Sequence, residues 1–285
     1  DEARLVDELA ASVSERIPLE RLTGAALQAA CPVLDPGWAA VGLLERGSQE
    51  IDVAALHQGF LRGLRTREGL VMTGAEVTGI DAAGGRWRVE TSAGPVDAEV
   101  VVNAAGAWAD VVAELAGLPP LGLQPMRRTA FTFAASGHDV AAWPFVVDVA
   151  ERFYFKREPS QVLGSLCEET PMPPHDARPE EVDVALAIDR IQEATTLEIR
   201  HVTKAWAGLR TFAPDRDPVN GFDPDAEGFY WLAGQGGFGI MTSPAMARAA
   251  AGLIVDGSLP AGLVAHGIAA DSLSPARLRP ASRSG

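Results

Sequence analysis

"GQGGFGIMTSPAMARAAAGLIVDG" (residues 234–257) follows the apolar run "GFYWLA" (residues 228–233) and matches G-x-G-x-x-G at Gly234, Gly236 and Gly239. A dinucleotide fingerprint of that form opens directly onto its helix and leads, about 20 residues on, to an acid that ends a second strand. Here "IMTSP" intervenes, because Ser243 as cap and Pro244 as first helical residue make the natural helix start. Asp256 stands at about the right distance, but it precedes "GSLP" and no apolar strand leads into it. The spacing is therefore read as coincidence. The loop keeps two physical properties. Four glycines in six residues let a backbone approach a flat ligand closely, and a helix from Ser243 turns its free N–H groups and positive end to the same place. The alternative is a tight turn needed only to pack the apolar run on the helix.

Composition narrows the classes. With 285 residues, 47% apolar and 22% charged, the chain has the make-up of a folded protein with a sizeable core. A net charge of -14 repels phosphate backbones, and no basic patch interrupts it, so nucleic acid is excluded as a partner. Cys31 and Cys167 are far apart and sit in no metal or redox spacing, which predicts a reducing compartment, a cytoplasmic location and no metal site. No apolar stretch approaches the roughly 18 residues of a membrane span, and "DEARLVDELA" lacks the form of a signal peptide.

Along the chain, residues 1–34 have helical spacing broken at Pro18 and Pro32, and residues 52–69 form an amphipathic helix capped by Asp52 and stopped at Gly69. "AEVTGIDAAGGRWRVETSAG" reads as a hairpin, and "EVVV" as a buried parallel strand entering a small-residue turn and a helix. From about Leu123, period-two alternation predicts an antiparallel sheet, followed by a capped helix with Pro179 in its first turn, the strand "HVTKAWAGLRTF", turns over residues 213–228, and the strand "FYWLAG". Blocks of different sheet character predict two domains that the chain crosses more than once.

Four segments, "EIDVAALHQGFLRGLR", "VVNAAGAWAD", "LGLQPMRRTAFTF" and "WAGLRTFAPDRDPVNGF" with the glycine-rich stretch after it, together resemble the D-amino-acid oxidase-like family of FAD-dependent oxidoreductases. Within it, residues 180–212 look most like the D-arginine dehydrogenases, bacterial FAD enzymes that oxidise D-amino acids. The resemblance implies an α/β fold, α+β in the substrate part: an FAD-binding Rossmann-like domain, incomplete here, and a substrate domain with a mixed, largely antiparallel sheet. It assigns residues 1–49 and 123–207 to the substrate domain, and 50–122 and 208–285 to the FAD-binding domain. The strand, glycine turn and helix with which family members begin have no counterpart, as if the chain started about ninety residues late. The expectation is an N-terminally truncated form that holds FAD weakly by itself.

Arg210 is the one guanidinium of a largely apolar alternating strand, so an anion must meet it. By resemblance that anion is the substrate α-carboxylate; Asp215 or Asp217 is the structural alternative. Tyr154 and Arg128 match further substrate contacts of the family, while Arg127 faces the other way. The resemblance places Val77, Ala105, Gly106, Gly208, Gly234, Gly236, Gly237, Phe238, Gly239, Ile240, Met241 and Thr242 at the FAD. Where the family pattern has glutamine and tyrosine, this chain has Met241 and Phe238, which implies a lean toward apolar D-amino acids. The implied activity is oxidative deamination of a D-amino acid to a 2-oxo acid and ammonia, with a glycine- or sarcosine-type amine oxidase, or a catalytically silent fragment, as alternatives. The electron acceptor is left open.

Overall fold

The computed structural model describes residues 2–13 and 17–279. Two compact units divide the chain: Asp1–Glu50, Arg127–Thr170 and Asp176–Gly208 form the first, and Ile51–Met126, Pro171–His175 and Leu209–Gly285 the second. The chain crosses between the two units more than once, with a short excursion at Pro171–His175.

The first unit is built on an antiparallel sheet. Gln124–Phe133 lies between Thr170–Pro171 and Gln161–Ser165, the latter continues to Tyr154–Glu158 and Val146–Val147, and Val202–Phe212 also pairs with Gln124–Phe133. Period-two alternation sends Phe131, Phe133, Phe155 and Val162 to one buried face, where Ala187 and Ile191 of the helix Glu181–Ala194 pack. The seat is tight at Gly164, where a Cβ would stand 2.8 Å from Ile191 and 2.9 Å from the Phe131 ring. Pro179 precedes this helix, but Glu180 at its cap position makes no side-chain cap bond. Residues 1–34 are only partly helical. Glu20–Thr23 is a strand that pairs antiparallel with Val41–Leu44, because burial of Leu22 in the core outweighs the local helical spacing.

In the second unit Asp52 caps the helix Val53–Arg65, its carboxylate accepting from the Ala55 N–H at 2.8 Å. The hairpin of Val77–Ala83 and Arg86–Thr91 turns through Gly84 and Gly85, both left-handed at φ 60° and 77°, as a two-residue turn requires. A separate sheet has Phe229–Ala233 at its centre, antiparallel to Val219–Phe222 and parallel to Val101–Asn103. Two readings change here. Val101–Asn103 is parallel as expected, yet Val102 is 42% exposed, because the strand has one partner among the described residues and forms an edge. Residues 213–228 are not all turns: Val219–Phe222 is a strand. Asn220 and Gly221 mimic a turn dipeptide, but Asn220 is fully buried, accepts from the Tyr230 hydroxyl and donates to the Met246 carbonyl at 2.9 Å.

That contact ties the strand pair to the helix that carries Met246. Asn220→Ala strands the buried Tyr230 hydroxyl and is expected to lower the unfolding free energy by about 1–3 kcal/mol, read from urea denaturation. A smaller change would mean that the hydroxyl finds another partner.

Candidate active site

Two glycine turns of the second unit lie side by side. Val101–Asn103 ends at Asn103, a buried residue whose amide donates to the Ala109 carbonyl at 2.8 Å and accepts from the Ala105 N–H at 3.3 Å. This shapes the turn so that Gly106 is left-handed at φ 58° and opens the short helical turn Gly106–Trp108, with open space where a Cβ would project. Asn103 stands in parallel register with Trp231, and Gly234 follows that strand at φ 73°. Both turns therefore lie beyond the carboxyl ends of adjacent parallel strands, the place where open α/β sheets bind ligands.

The loop after Gly234 is folded onto the strand Val202–Phe212. Gly236, left-handed at φ 54°, donates its N–H to the Thr211 carbonyl at 2.8 Å, and a Cβ there would stand 2.4 Å from the Phe212 ring. The Arg216 guanidinium lies 4.1 Å from the centroid of that same ring. The three atoms nearest a Cβ on Gly237 would all belong to the Arg210 guanidinium, Nη1 at 3.0 Å, Cζ at 3.2 Å and Nε at 3.4 Å. The alternative acid Asp215 carries Arg277, at 2.7 Å.

The helix begins earlier than Ser243. It spans Gly239–Ala251, with Thr242 N–H bonded to the Phe238 carbonyl at 3.0 Å and Pro244 inside it. Ser243 does not cap: its hydroxyl donates to the Ile240 carbonyl at 2.8 Å, the acceptor that Pro244, without an N–H, cannot serve. The glycine loop thus opens directly onto its helix, and the intervening "IMTSP" is part of the first turns. The other half of the fingerprint is missing. The helix runs into the turn Gly252–Asp256, so Asp256 ends no strand.

Phe238 and Met241 are 64% and 63% exposed beside this helix start, and Ile240 is exposed with them. Next to them a groove of about 310 Å³ is lined by Phe60, Leu232, Gln235, Gly239, Ser243 and Met246. Val77 belongs to the hairpin sheet, a different sheet from that of the two turns, and is half-buried against the core with Ile80 and Trp87. Gly208 is exposed, with open space at its Cβ position.

The remaining candidates are in the first unit. Tyr154 points away from the buried Phe153 and Phe155 and packs edge-on with Phe145, ring centres 5.3 Å apart. Arg128 donates to the Glu168 carbonyl at 2.7 Å and lies 3.6 Å from the Glu169 carboxylate. Arg127 faces the interior and binds Glu180 and Asp183 at 2.7 and 2.8 Å. Residues that sequence reading passed over hold this region and the turns: Glu168, Asn103 and Asn220. Their one signal is a polar residue within or beside an apolar run.

A profile of the FAD dependent oxidoreductase family matches residues 1–253. The chain belongs to that family. It is 31% identical to FAD-dependent oxidoreductase domain-containing protein 1 of Bos taurus over 57% of this chain, and it spans 37% of that relative's length. L-proline dehydrogenase from P. horikoshii shares the fold with a TM-score of 0.82 at 19% identity, over 97% of this chain and 74% of that one. Glycine oxidase from Geobacillus kaustophilus does so with a TM-score of 0.77 at 21% identity, over 90% and 68%. The mixed α/β architecture is thus that of FAD-dependent oxidoreductases. Among the described residues no metal-ligand cluster occurs and no helix is long and apolar enough to cross a membrane.

The residues present fit FAD. Gly106 supplies backbone with open space where a Cβ would project, Phe238, Ile240 and Met241 supply exposed apolar surface for a flat ring, and the first-turn amides of Gly239–Ala251 favour negative charge.

Glu168 gives a pH prediction for the first unit. Its carboxyl accepts from the Thr129 N–H, while Oε2 is buried with no partner among the described residues. Burial, aided by the Asp183 charge, pushes its pKa above the ordinary 4.5, although the Thr129 bond pulls the other way. The folded chain then binds more protons than the unfolded one in a window that begins near pH 4.5, so stability falls as pH rises through it. Glu168→Gln is expected to flatten that fall in urea titrations from about pH 4 to about pH 8. Equal slopes for both proteins would remove Glu168 as its source.

Proposed function

We propose that the complete protein catalyses FAD-dependent oxidative deamination of D-amino acids, with apolar side chains preferred. The observation that carries this reading is the Arg210 guanidinium lying against Gly237, inside the glycine-rich loop that fits the cofactor. A cation beside such a loop is suited to holding an α-carboxylate, because a guanidinium offers two parallel N–H donors to one carboxylate. Cζ is no farther from the Gly237 Cβ position than the nitrogens as a pair, so Gly237 lies over the face of the plane.

Arg210 would fix the carboxylate and so the direction of the Cα–H bond; orientation of this kind supplies a large part of a rate. FAD, when bound, supplies the two-electron chemistry by accepting hydride from Cα. The imine released is hydrolysed to the 2-oxo acid and ammonia. The first-turn amides of Gly239–Ala251 favour negative charge on the cofactor, an effect of about 0.3–2 kcal/mol for a helix end. Met241 and Phe238 are exposed and apolar, in keeping with apolar substrates. Tyr154 and Arg128 are assigned to substrate by the family resemblance alone, and Val77 and Gly208 to FAD on the same ground.

A second reading, oxidation of glycine or an N-methylated glycine such as sarcosine, draws support from the glycine oxidase among the similar folds. Turnover of D-methionine, D-leucine, D-arginine, their L-enantiomers, glycine and sarcosine, followed by oxygen uptake and by dye reduction, separates the two. D-methionine and D-leucine are expected to lead. A lead for glycine or sarcosine would establish the second reading, and a lead for L-enantiomers would overturn both. Arg210→Met is expected to cost about 2–5 kcal/mol in kcat/KM for every α-amino acid turned over. A loss confined to one substrate would take Arg210 away from the carboxylate.

A further inference from the structure

We infer that the first unit carries a second small-molecule site, on the face of its antiparallel sheet opposite the core, for a carboxylate with a flat apolar body and no ammonium group. The oxidation of amino acids proposed above uses none of its residues, so the two stand or fall separately.

Alternation along the strands creates the site. Tyr154–Glu158 and Gln161–Ser165 are joined by a two-residue turn, with Glu158 paired to Gln161, Lys156 to Leu163, and Leu163 in turn to Thr132. Because Phe131, Phe133, Phe155 and Val162 point into the core, Thr132, Lys156 and Leu163 point the other way. On Val202–Phe212, Ala205 packs against that core, so Lys204 and Trp206 on either side of it take the opposite face. Thr132, Leu163, Lys204, Trp206 and the turn from Glu158 to Gln161 line an open groove of about 550 Å³. Small-molecule sites have volumes of roughly 300–1,000 Å³. Thr132 lies about 13 Å along its strand from Arg128, so the groove is not the place that the family resemblance gives to substrate.

The lining selects an occupant by its chemistry. Trp206 is 38% exposed, although an indole is among the side chains that gain most from burial. Nζ of Lys204 lies 5.9 Å from the centre of that ring, within cation–π reach, which keeps the ammonium at the apolar wall. The nearby cations are answered by acids: Lys156 meets Glu158 at 2.9 Å and Glu50 at 3.5 Å, and Arg157 meets Glu50 at 3.0 Å. Lys204 has no ion pair among the described residues, in a chain of net charge -14. Its charge is left for an anion that brings apolar surface against Trp206 and Leu163. Glu158 is the acid of the lining, and it is taken by Lys156. The groove therefore offers an α-ammonium group no uncommitted carboxylate, and a carboxylate without the amine fits better than a free amino acid.

The test is calorimetric titration of the full-length, FAD-loaded protein with indole-3-acetate, beside three molecules that keep the ring and change the charge: 3-methylindole, tryptamine and α-methyltryptophan, which has no Cα–H to lose. Indole-3-acetate is expected to bind with one equivalent that persists in Arg210→Met. The neutral and zwitterionic probes should bind about tenfold more weakly, and tryptamine weakest of all. Lys204→Met and Trp206→Leu are each expected to raise the Kd of that equivalent by roughly 10-fold. Both side chains are at the surface, so FAD content, thermal midpoint and the KM for the best amino acid should not change. Lys204→Glu should turn the preference toward tryptamine. Equal Kd values for the parent and both single variants would overturn the inference, as would a Kd that changes in Arg210→Met alone. Failure to saturate by about 10 mM would do the same. So would a protein that binds no indole-3-acetate but falls to a smaller oligomer in Trp206→Leu, since a second copy of the chain would then cover this face.

Discussion

The parallel pairing of Phe229–Ala233 with Val101–Asn103 is the constraint on which the site of the second unit depends. Each strand is followed by a turn in which a glycine takes a left-handed φ, Gly106 at 58° and Gly234 at 73°, and pairing in register sets those turns next to each other. Neither turn is a site alone. Phe229, Tyr230, Trp231 and Ala233 are fully buried, so the central strand cannot slide without moving its aromatic rings out of the core. Trp231 adds a bond from its indole to Asp223 at 2.9 Å, and Asp223 also holds Arg279 at 2.8 Å. Register is thus fixed by burial and by buried polar contacts together.

From that strand the chain makes a sharp change of direction, and the glycine-rich loop is where it is made. Gly236 rests on the Phe212 ring, Arg216 approaches the ring as well, and Gly237 rests on Arg210. A side chain on Gly236 would overlap the Phe212 ring and hold the loop off the strand. The helix then starts at once, at Gly239, and its early proline is tolerated because Ser243 supplies the hydrogen bond that Pro244 lacks. What looks like a capping pair in the sequence is a repair made within the helix. Its consequence is functional: the helix start lies four residues nearer the loop than Ser243, so the first-turn amides belong to the glycine loop itself.

Much of this was legible because the deciding interactions are local or periodic. The antiparallel sheet follows from the period-two placing of Phe131 and Phe133, the Gly84-Gly85 turn from two adjacent glycines between alternating runs, and the Asp52 cap from one carboxylate. The misreadings came where a distant residue overrules a local signal. Asn220-Gly221 has the composition of a turn, yet the Tyr230 hydroxyl across the sheet makes Asn220 a core residue. Leu22 is drawn into a strand by Val41–Leu44. In the site, the glycine positions were readable as a group, but their separate reasons were not, since φ and the neighbour of an absent Cβ are properties of the fold.

Arg127 and Arg128 show the same limit in a pair of adjacent residues. Alternation along Gln124–Phe133 separates them to opposite faces, and the inward one meets Glu180 at the cap of the following helix and Asp183 within it, as a buried cation must. The outward one is held by the backbone and carboxylate of Glu168 and Glu169. Glu168 therefore acts on both sides of the strand: its carbonyl restrains Arg128, while its carboxyl turns inward to the Thr129 N–H. Having a buried oxygen without a partner, it is a costly anchor, and a neutral amide would serve the inward contact at less cost. Arg210 differs from both arginines in kind. Its guanidinium lies against the Gly237 position, where the three atoms nearest a Cβ would all belong to it, at 3.0–3.4 Å.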